Sequence, residues 1–226
     1  MMSKNKAIFG LFGTGGFARE VMPIAIETFI RDFSLEEVPE VDFVFVESDP
    51  KKNTINGYKL ISDREFIDSP HAKKYFNIAV ADSSIREKFS IKFETENIKP
   101  LSIRSKDAVS YEFNELLDGC IICANSIITS NAKIGKYFHS NIYSYVAHDS
   151  IIGDFVTFAP RVNCNGNIII EDHVYIGTGA ILKQGTPDNP LIIGKGSIIG
   201  MGAVVTKDVP ANTTVIGNPA KTFHKS

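Results

Sequence analysis

Histidine is followed by aspartate at one place in the chain, His148-Asp149, within Val146-Ala147-His148-Asp149-Ser150-Ile151-Ile152-Gly153. A carboxylate beside an imidazole accepts from one ring nitrogen, fixes the tautomer and leaves the other nitrogen's lone pair to act as a general base. A solvated surface pair has the same composition, and residue types alone leave both readings open. Eighteen residues on lies Gly166, in Asn163-Cys164-Asn165-Gly166-Asn167. A glycine there either lets a backbone N–H approach a small reacting group unobstructed or merely turns the chain at a corner. His173, in Ile170-Glu171-Asp172-His173, is the rival base and reads as a surface corner residue. Gly13-Thr14-Gly15-Gly16-Phe17-Ala18 fits the G-x-G-x-x-A pattern whose amides cradle a phosphate between a strand and a helix. Cys120-Ile121-Ile122-Cys123 has C-x-x-C spacing but sits in an apolar run; with Cys164 these read as buried hydrophobes.

Two kinds of element must position these groups. Residues 1–104 alternate strand and helix: Lys6 to Phe12 is a short apolar strand, and a helix follows from about Ala18 to Phe33. Val41 to Val46 is a second strand, with a turn at Asn56-Gly57, a helix start at Asp63 to Ile67, a strand from Tyr75 to Ala81 and a helix from Ser83 to Phe93. That order implies a parallel α/β sheet with right-handed crossovers. The domain is Rossmann-like at its opening but lacks the second half of a nicotinamide-binding fold.

Residues 105–226 obey a period of six. From Ile122 it lands on Ile128, Ile134, Ser140, Val146, Ile152, Phe158, Cys164, Ile170, Ile176 and Leu182, slips by one across Gln184 to Ile192, and resumes at Ile193, Ile199, Val205 and Ala211. Small residues recur four places on, at Ser126, Ala132, Ser144, Ser150, Ala180, Ser197 and Ala203, and glycines directly after, at Gly135, Gly153, Gly177, Gly194 and Gly200. This is the pattern of a parallel β-helix, three repeats to a coil, so residues eighteen apart stack at roughly the 4.8 Å strand spacing. The glycines are expected to supply backbone angles that other residues resist. His148 and Asp149 then fall at a corner, with Gly166 one coil away.

Charge and composition exclude several classes. With 24 basic and 26 acidic residues there is no basic field for nucleic acid. No apolar run approaches the roughly 20 residues of a membrane span. An odd number of cysteines without a disulfide framework points to the cytoplasm.

The repeat, Ile193-Gly194-Lys195-Gly196 and the tail Val215-Ile216-Gly217-Asn218-Pro219-Ala220-Lys221 resemble the left-handed β-helix acyltransferases. The added domain opening with Phe12-Gly13-Thr14-Gly15-Gly16 narrows the resemblance to sugar-nucleotide N-acetyltransferases of the bacillosamine and perosamine type and their sialic acid O-acetyltransferase relatives. The resemblance implies a cytoplasmic homotrimer that takes acetyl-CoA between neighbouring subunits, needs no metal and acetylates a nucleotide-linked amino sugar, a 4-amino-4,6-dideoxyhexose. It assigns His148 as base with Asp149 orienting it, the Gly166 amide to the oxyanion, and Asn141 to the neighbourhood of the substrate amine. It places coenzyme A against Gly166, Thr178, Gly179, Ala180, Gly202, Ala203 and Lys221, with Lys183 and Lys207 as further candidates for its phosphates. The nucleotide falls to Gly13, Gly15, Gly16, Glu47, Ser48, Asp82 and Ser83, while Arg86 reads as a helix-face charge in preference to a diphosphate ligand. Thr157 stands nine residues after the base, where close relatives carry a second histidine; a hydroxyl hydrogen-bonds but cannot share the base role. Alternatives are a sugar O-acetyltransferase, a non-catalytic nucleotide-sugar module, and a β-helix carbonic anhydrase. The last needs closely spaced ligands such as H-x-x-x-x-H, whereas His139, His148 and His173 lie 9 and 25 residues apart.

Overall fold

A strand buried on both faces has no reason to alternate polar and apolar residues. β1 (Lys6–Phe12) is such a strand: Ala7 to Phe12 are buried, and it pairs in parallel with β2 (Glu40–Glu47) on one side and with a later strand, Lys73–Ile78, on the other. The computed structural model describes residues 6–33 and 40–224, and the chain divides into two compact units, Met1–Ile103 and Arg104–Ser226.

In the first unit, α1 (Gly16–Asp32) follows β1. After β2 come the hairpin strands β3 (Thr54–Ile55) and β4 (Tyr58–Ser62), α2 (Asp63–Ile67), β5 (Lys73–Ile78), α3 (Ser83–Thr95) and β6 (Lys99–Pro100). The described strands run in the order β3-β4-β2-β1-β5-β6. Aromatic rings fill both faces: Phe9, Phe29, Phe43 and Tyr75 on the α1 side, and Phe12 stacked on Phe89 at 3.8 Å with Phe93 and Phe66 on the other. The Asn56-Gly57 turn takes φ of 49° and 85°, the left-handed pair a tight hairpin requires, and so pairs β3 with β4, neither of which stood out in the sequence. Arg86 corrects an expectation. It is fully buried, and its guanidinium donates to the carbonyls of Val80 (2.9 Å) and Ala81 (3.2 Å), so it ties the β5–α3 connection from inside rather than facing solvent.

In the second unit, short strands stack on three faces in parallel. The first face carries Ile121–Ile122, His139–Ser140, Thr157–Phe158, Tyr175–Ile176 and Ile198–Ile199; the second Ile127–Ile128, Tyr145–Val146, Asn163–Cys164, Ile181–Leu182 and Val204–Val205; the third Lys133–Ile134, Ile151–Ile152, Ile168–Ile170 and Leu191–Ile193. Pairing steps by eighteen, as in Ile121↔His139↔Thr157↔Tyr175, and the last residue of each of these strands points inward. Every repeat position from Ile122 to Leu182 is buried, including the polar Ser140, as are all seven small residues four places on.

Two parts of the repeat differ from expectation. Ala211 is exposed; the chain is two residues short there, so Val209 pairs with Ile193 and closes the core instead. The five glycines do not supply unusual angles either, since the left-handed corners are held by Asn125, Asn131, Tyr137, Tyr143, Asp149, Phe155, Arg161, Asn167 and His173, at φ of 54° to 61°. Those glycines are required by closeness: a Cβ on Gly135, Gly153, Gly177 or Gly194 would meet the backbone of the next coil at 2.5 to 2.7 Å.

Candidate active site

His148 and Asp149 form the corner between the second and third faces. The corner is fixed by backbone: Asp149 N–H donates to Ser130 O one coil below, and Asn167 N–H donates to His148 O from the coil above. With φ at +58°, Asp149 turns its side chain back along the corner, and its Oδ2 lies 2.7 Å from His148 Nδ1. A carboxylate only accepts, so Nδ1 carries the hydrogen and the lone pair of the neutral ring belongs to Nε2. Asn131, at the same corner one coil earlier, donates from Nδ2 to Asp149 Oδ1 at 3.2 Å. These bonds, that from His148 foremost, hold the Asp149 carboxyl below the usual carboxylate range. The imidazole is about half exposed, at 47%.

Gly166 lies directly beside that ring. A Cβ at Gly166 would come within 2.5 Å of His148 Cε1, 2.6 Å of Nε2 and 2.9 Å of Nδ1. Gly166 is not in the left-handed region; the corner's left-handed residue is Asn167, at φ 56°. Glycine is therefore needed for the imidazole, not for the turn. The Gly166 N–H has no acceptor among the described residues, while its carbonyl accepts from Gly185 N at 3.0 Å. A lone pair on nitrogen and an unused amide N–H thus stand side by side, the two groups an acyl transfer needs at its amine and its oxyanion.

The other sequence-predicted residues do not converge here within one chain. Asn141 begins the corner between the first and second faces, and its Oδ1 accepts from Ile142 N at 2.9 Å. Thr178, Gly179 and Ala180 lie at that same corner two coils on, and Gly202 and Ala203 one coil further. Gly179 and Gly202, at φ 71° and 67°, have open space where a side chain would point. Lys221 extends an exposed strand beyond the cis Asn218-Pro219 bond, antiparallel to Thr214–Ile216. Thr157 faces outward on the first face between His139 and Tyr175, 7% exposed, with its Oγ1 buried and without a hydrogen-bond partner among the described residues. His173 occupies the third corner, its ring stacked on Phe155 at 5.3 Å, with Phe155 stacked on Tyr137. His139, His148 and His173 thus occupy a face and two different corners, a dispersion that gives no shared metal. The buried thiols of Cys120 and Cys164 are pushed up to about 12, which leaves them inert as nucleophiles.

Above His148 and Gly166, at the same corner, five inserted residues around Gln184 to Pro190 open a cleft of about 270 Å³. Lys183, Lys207, Asn189 and Thr206 line it, so the two lysines share one recess.

In the first unit, the loops after β1 and β5 leave the sheet in opposite directions, which opens a crevice at the strand ends. Gly13, at φ +117°, lies there with space for no Cβ: one would stand 2.9 Å from Ala79 O. Gly15 caps α1 without a side-chain bond, and a Cβ added to it or to Gly16 would meet nothing within 4 Å, so the helix N-terminus is open. Glu47 accepts from Thr14 Oγ1 at 3.0 Å and lines a cleft of about 360 Å³ with Arg19, Lys51, Lys52 and Asn56. Ser48, Asp82 and Ser83 are outside that lining; Ser48 donates to Asp63, and Asp82 caps α3 through the amides of Ser84 and Ile85. The basic side chains of the cleft escaped the sequence reading, although Lys51-Lys52 beside the β2 end and Arg19 one turn into α1 were the available signal. Among the described residues no helix is long and apolar enough to cross a membrane.

The family described as "Hexapeptide repeat of succinyl-transferase" matches residues 167–207. Over 219 residues the chain is 44% identical to GDP-perosamine N-acetyltransferase of Escherichia coli O157:H7, covering 97% of each. The structure of WeeI from Acinetobacter baumannii AYE superposes with a TM-score of 0.90 at 50% identity, over 96% of this chain and 100% of that one. The acetyltransferase domain of PglB from Neisseria gonorrhoeae FA1090, solved with acetyl coenzyme A, shares the fold at a TM-score of 0.82 and 24% identity, over 96% and 100% of the two chains.

Proposed function

From the membership of this chain in the hexapeptide-repeat family of sugar N-acetyltransferases that includes GDP-perosamine N-acetyltransferase, we propose that it transfers acetyl from acetyl-CoA to the 4-amino group of a nucleotide-linked 4,6-dideoxyhexose, the nucleotide being GDP. The observation that carries the reading is the His148 ring lying on Gly166 with its Nδ1 held by Asp149.

The chemistry follows from those positions. The amine attacks the thioester carbon as His148 Nε2 accepts its proton; the carbonyl oxygen becomes an anion that the Gly166 N–H receives. Collapse breaks the C–S bond, and the coenzyme A thiolate recovers the proton from the imidazolium. The ionised Asp149 holds the ring's tautomer before transfer and offsets its charge afterwards.

Asn141 and the Thr178 to Ala180 and Gly202 to Ala203 segments stand at a different corner from His148, so a site that uses both draws them from two copies. We therefore read the enzyme as a homotrimer, its β-helix left-handed, with acetyl-CoA between a His148 corner of one chain and an Asn141 corner of the next, and Lys221 beside its phosphates. The first unit is read as a Rossmann-like nucleotide domain: Gly13, Gly15 and Gly16 leave the α1 amides open to phosphate, and Glu47 takes ribose hydroxyls in the cleft, with Ser48, Asp82 and Ser83 beyond its lining. Thr157 lies toward the sugar. The buried cysteines, thiols rather than disulfides, suit the cytoplasm.

The test is thiol release from acetyl-CoA with GDP-, UDP- and dTDP-linked 4-amino sugars and with free sialic acid. Release with the GDP-amino sugar, with the acetyl found on nitrogen, is expected; release with sialic acid alone would overturn the reading in favour of O-acetylation.

A further inference from the structure

The direction of the Gly166 N–H is set from inside the coil. Ser150 is fully buried, and its Oγ donates to the carbonyl of Asn165 at 3.2 Å, with a longer contact of 3.5 Å to His148 O. The same oxygen accepts from Ile168 N at 3.4 Å, so the hydroxyl is fixed at both ends. The Asn165–Gly166 peptide is trans, the chain's described cis bond being Asn218-Pro219. In a trans peptide the C=O and N–H point in opposite directions. A carbonyl drawn inward to Ser150 therefore turns the Gly166 N–H outward, toward the side on which the His148 ring lies.

We propose that Ser150 is a positioning residue for acyl transfer, aiming the Gly166 amide at the developing oxyanion by holding the carbonyl on the other side of the same peptide. The proposal rests on the reading of His148 as base and Gly166 as oxyanion donor, and deepens it.

The fold supplies its own control. Ser144 makes the same bond at the corner between the first and second faces, donating to Ala159 O at 2.9 Å and accepting from Val162 N at 3.1 Å. The peptide it holds is Ala159–Pro160, which has no N–H to aim. Alanine already fills the equivalent inward site at Ala132, Ala180 and Ala203, all fully buried, so the coil accommodates serine-to-alanine changes.

The experiment compares Ser150→Ala, Ser144→Ala and His148→Ala for kcat, for the KM of each substrate and for the pH profile of kcat/KM. Removal of one oxyanion donor outright costs about 10²–10³ in kcat. Loosening it should cost roughly tenfold, so Ser150→Ala is expected to lose that much kcat, with KM values within about twofold and the acid limb of the profile unmoved. Ser144→Ala should keep its kcat within about twofold. Full kcat in Ser150→Ala, or an equal loss in both serine variants, overturns the positioning role even if His148→Ala is inactive. Full activity in His148→Ala overturns the parent reading instead.

Discussion

The carboxylate of Asp149 meets the His148 ring because its backbone is left-handed, a conformation aspartate and asparagine accept more readily than most residues. Asp149→Asn should therefore keep the corner but lose the charge that supports an imidazolium, lowering kcat at little change in folding. Its pH dependence has a definite sign. The native carboxyl is held below its unfolded value, so its contribution to stability is present above the ordinary carboxylate range and is lost as pH falls through the lowered one. Thermal midpoints of wild type and Asp149→Asn should converge as pH is lowered through that window; a gap that stays constant contradicts the assignment. Gly166→Ala tests the other half of the site. The new methyl meets the movable edge of the ring rather than backbone, so the melting temperature should hardly change while kcat drops by at least tenfold as the imidazole is displaced. The His-Asp pair and the glycine eighteen residues on were legible in the sequence because their spacing equals one coil. The third partner was not: nothing in the six-residue spacing singles out Asn131, whose amide donates to Asp149 Oδ1.

Elements in the second unit were legible because a coil of eighteen residues forces one apolar position in six, and even the slip near Gln184 is visible as a change of phase. What six-residue phase cannot reveal is which residue of a corner takes positive φ. The glycines drew that assignment, yet close contact between coils is what excludes a side chain from them, and Tyr137, Phe155 and His173 accept the left-handed corner while stacking on one another. Cys120 and Cys164 belong to the same packed interior. Burial raises their thiols to about 12, so the native protein should resist a thiol reagent at pH 8 and react only on unfolding. Since unfolded thiols ionise first, their contribution is intact below about 9 and declines as pH rises from there toward 12. Rapid labelling of the folded chain at pH 8 would contradict this packing. In the first unit, β1 and β2 were legible as short apolar runs and the helices from their periodicity. The hairpin of β3 and β4 was too short for periodicity to declare, and Arg86 was misassigned because a helix-face pattern does not reveal which loop carbonyls a long side chain can reach.

At the scale of the whole molecule, His148 and Gly166 occupy one corner of the β-helix and Asn141, with the Thr178 to Ala180 and Gly202 to Ala203 segments, another, so the proposed site draws on a second copy. Co-expressing Asn141→Ala with His148→Ala chains should then restore activity that neither has alone, since about one interface in four would carry both intact residues. No recovery would place the site within a single chain. The cleft of the first unit is predicted to act separately: Lys51→Ala with Lys52→Ala should raise the KM for the nucleotide sugar severalfold and leave that for acetyl-CoA unchanged. Equal changes in both would remove the cleft from nucleotide binding. The most direct measurement is the rate of acetyl transfer by His148→Ala at saturating acetyl-CoA and nucleotide-linked amino sugar. With His148 as the base, kcat falls by about 10²–10⁴ with the coenzyme still bound; a rate near that of the unaltered enzyme would contradict that role.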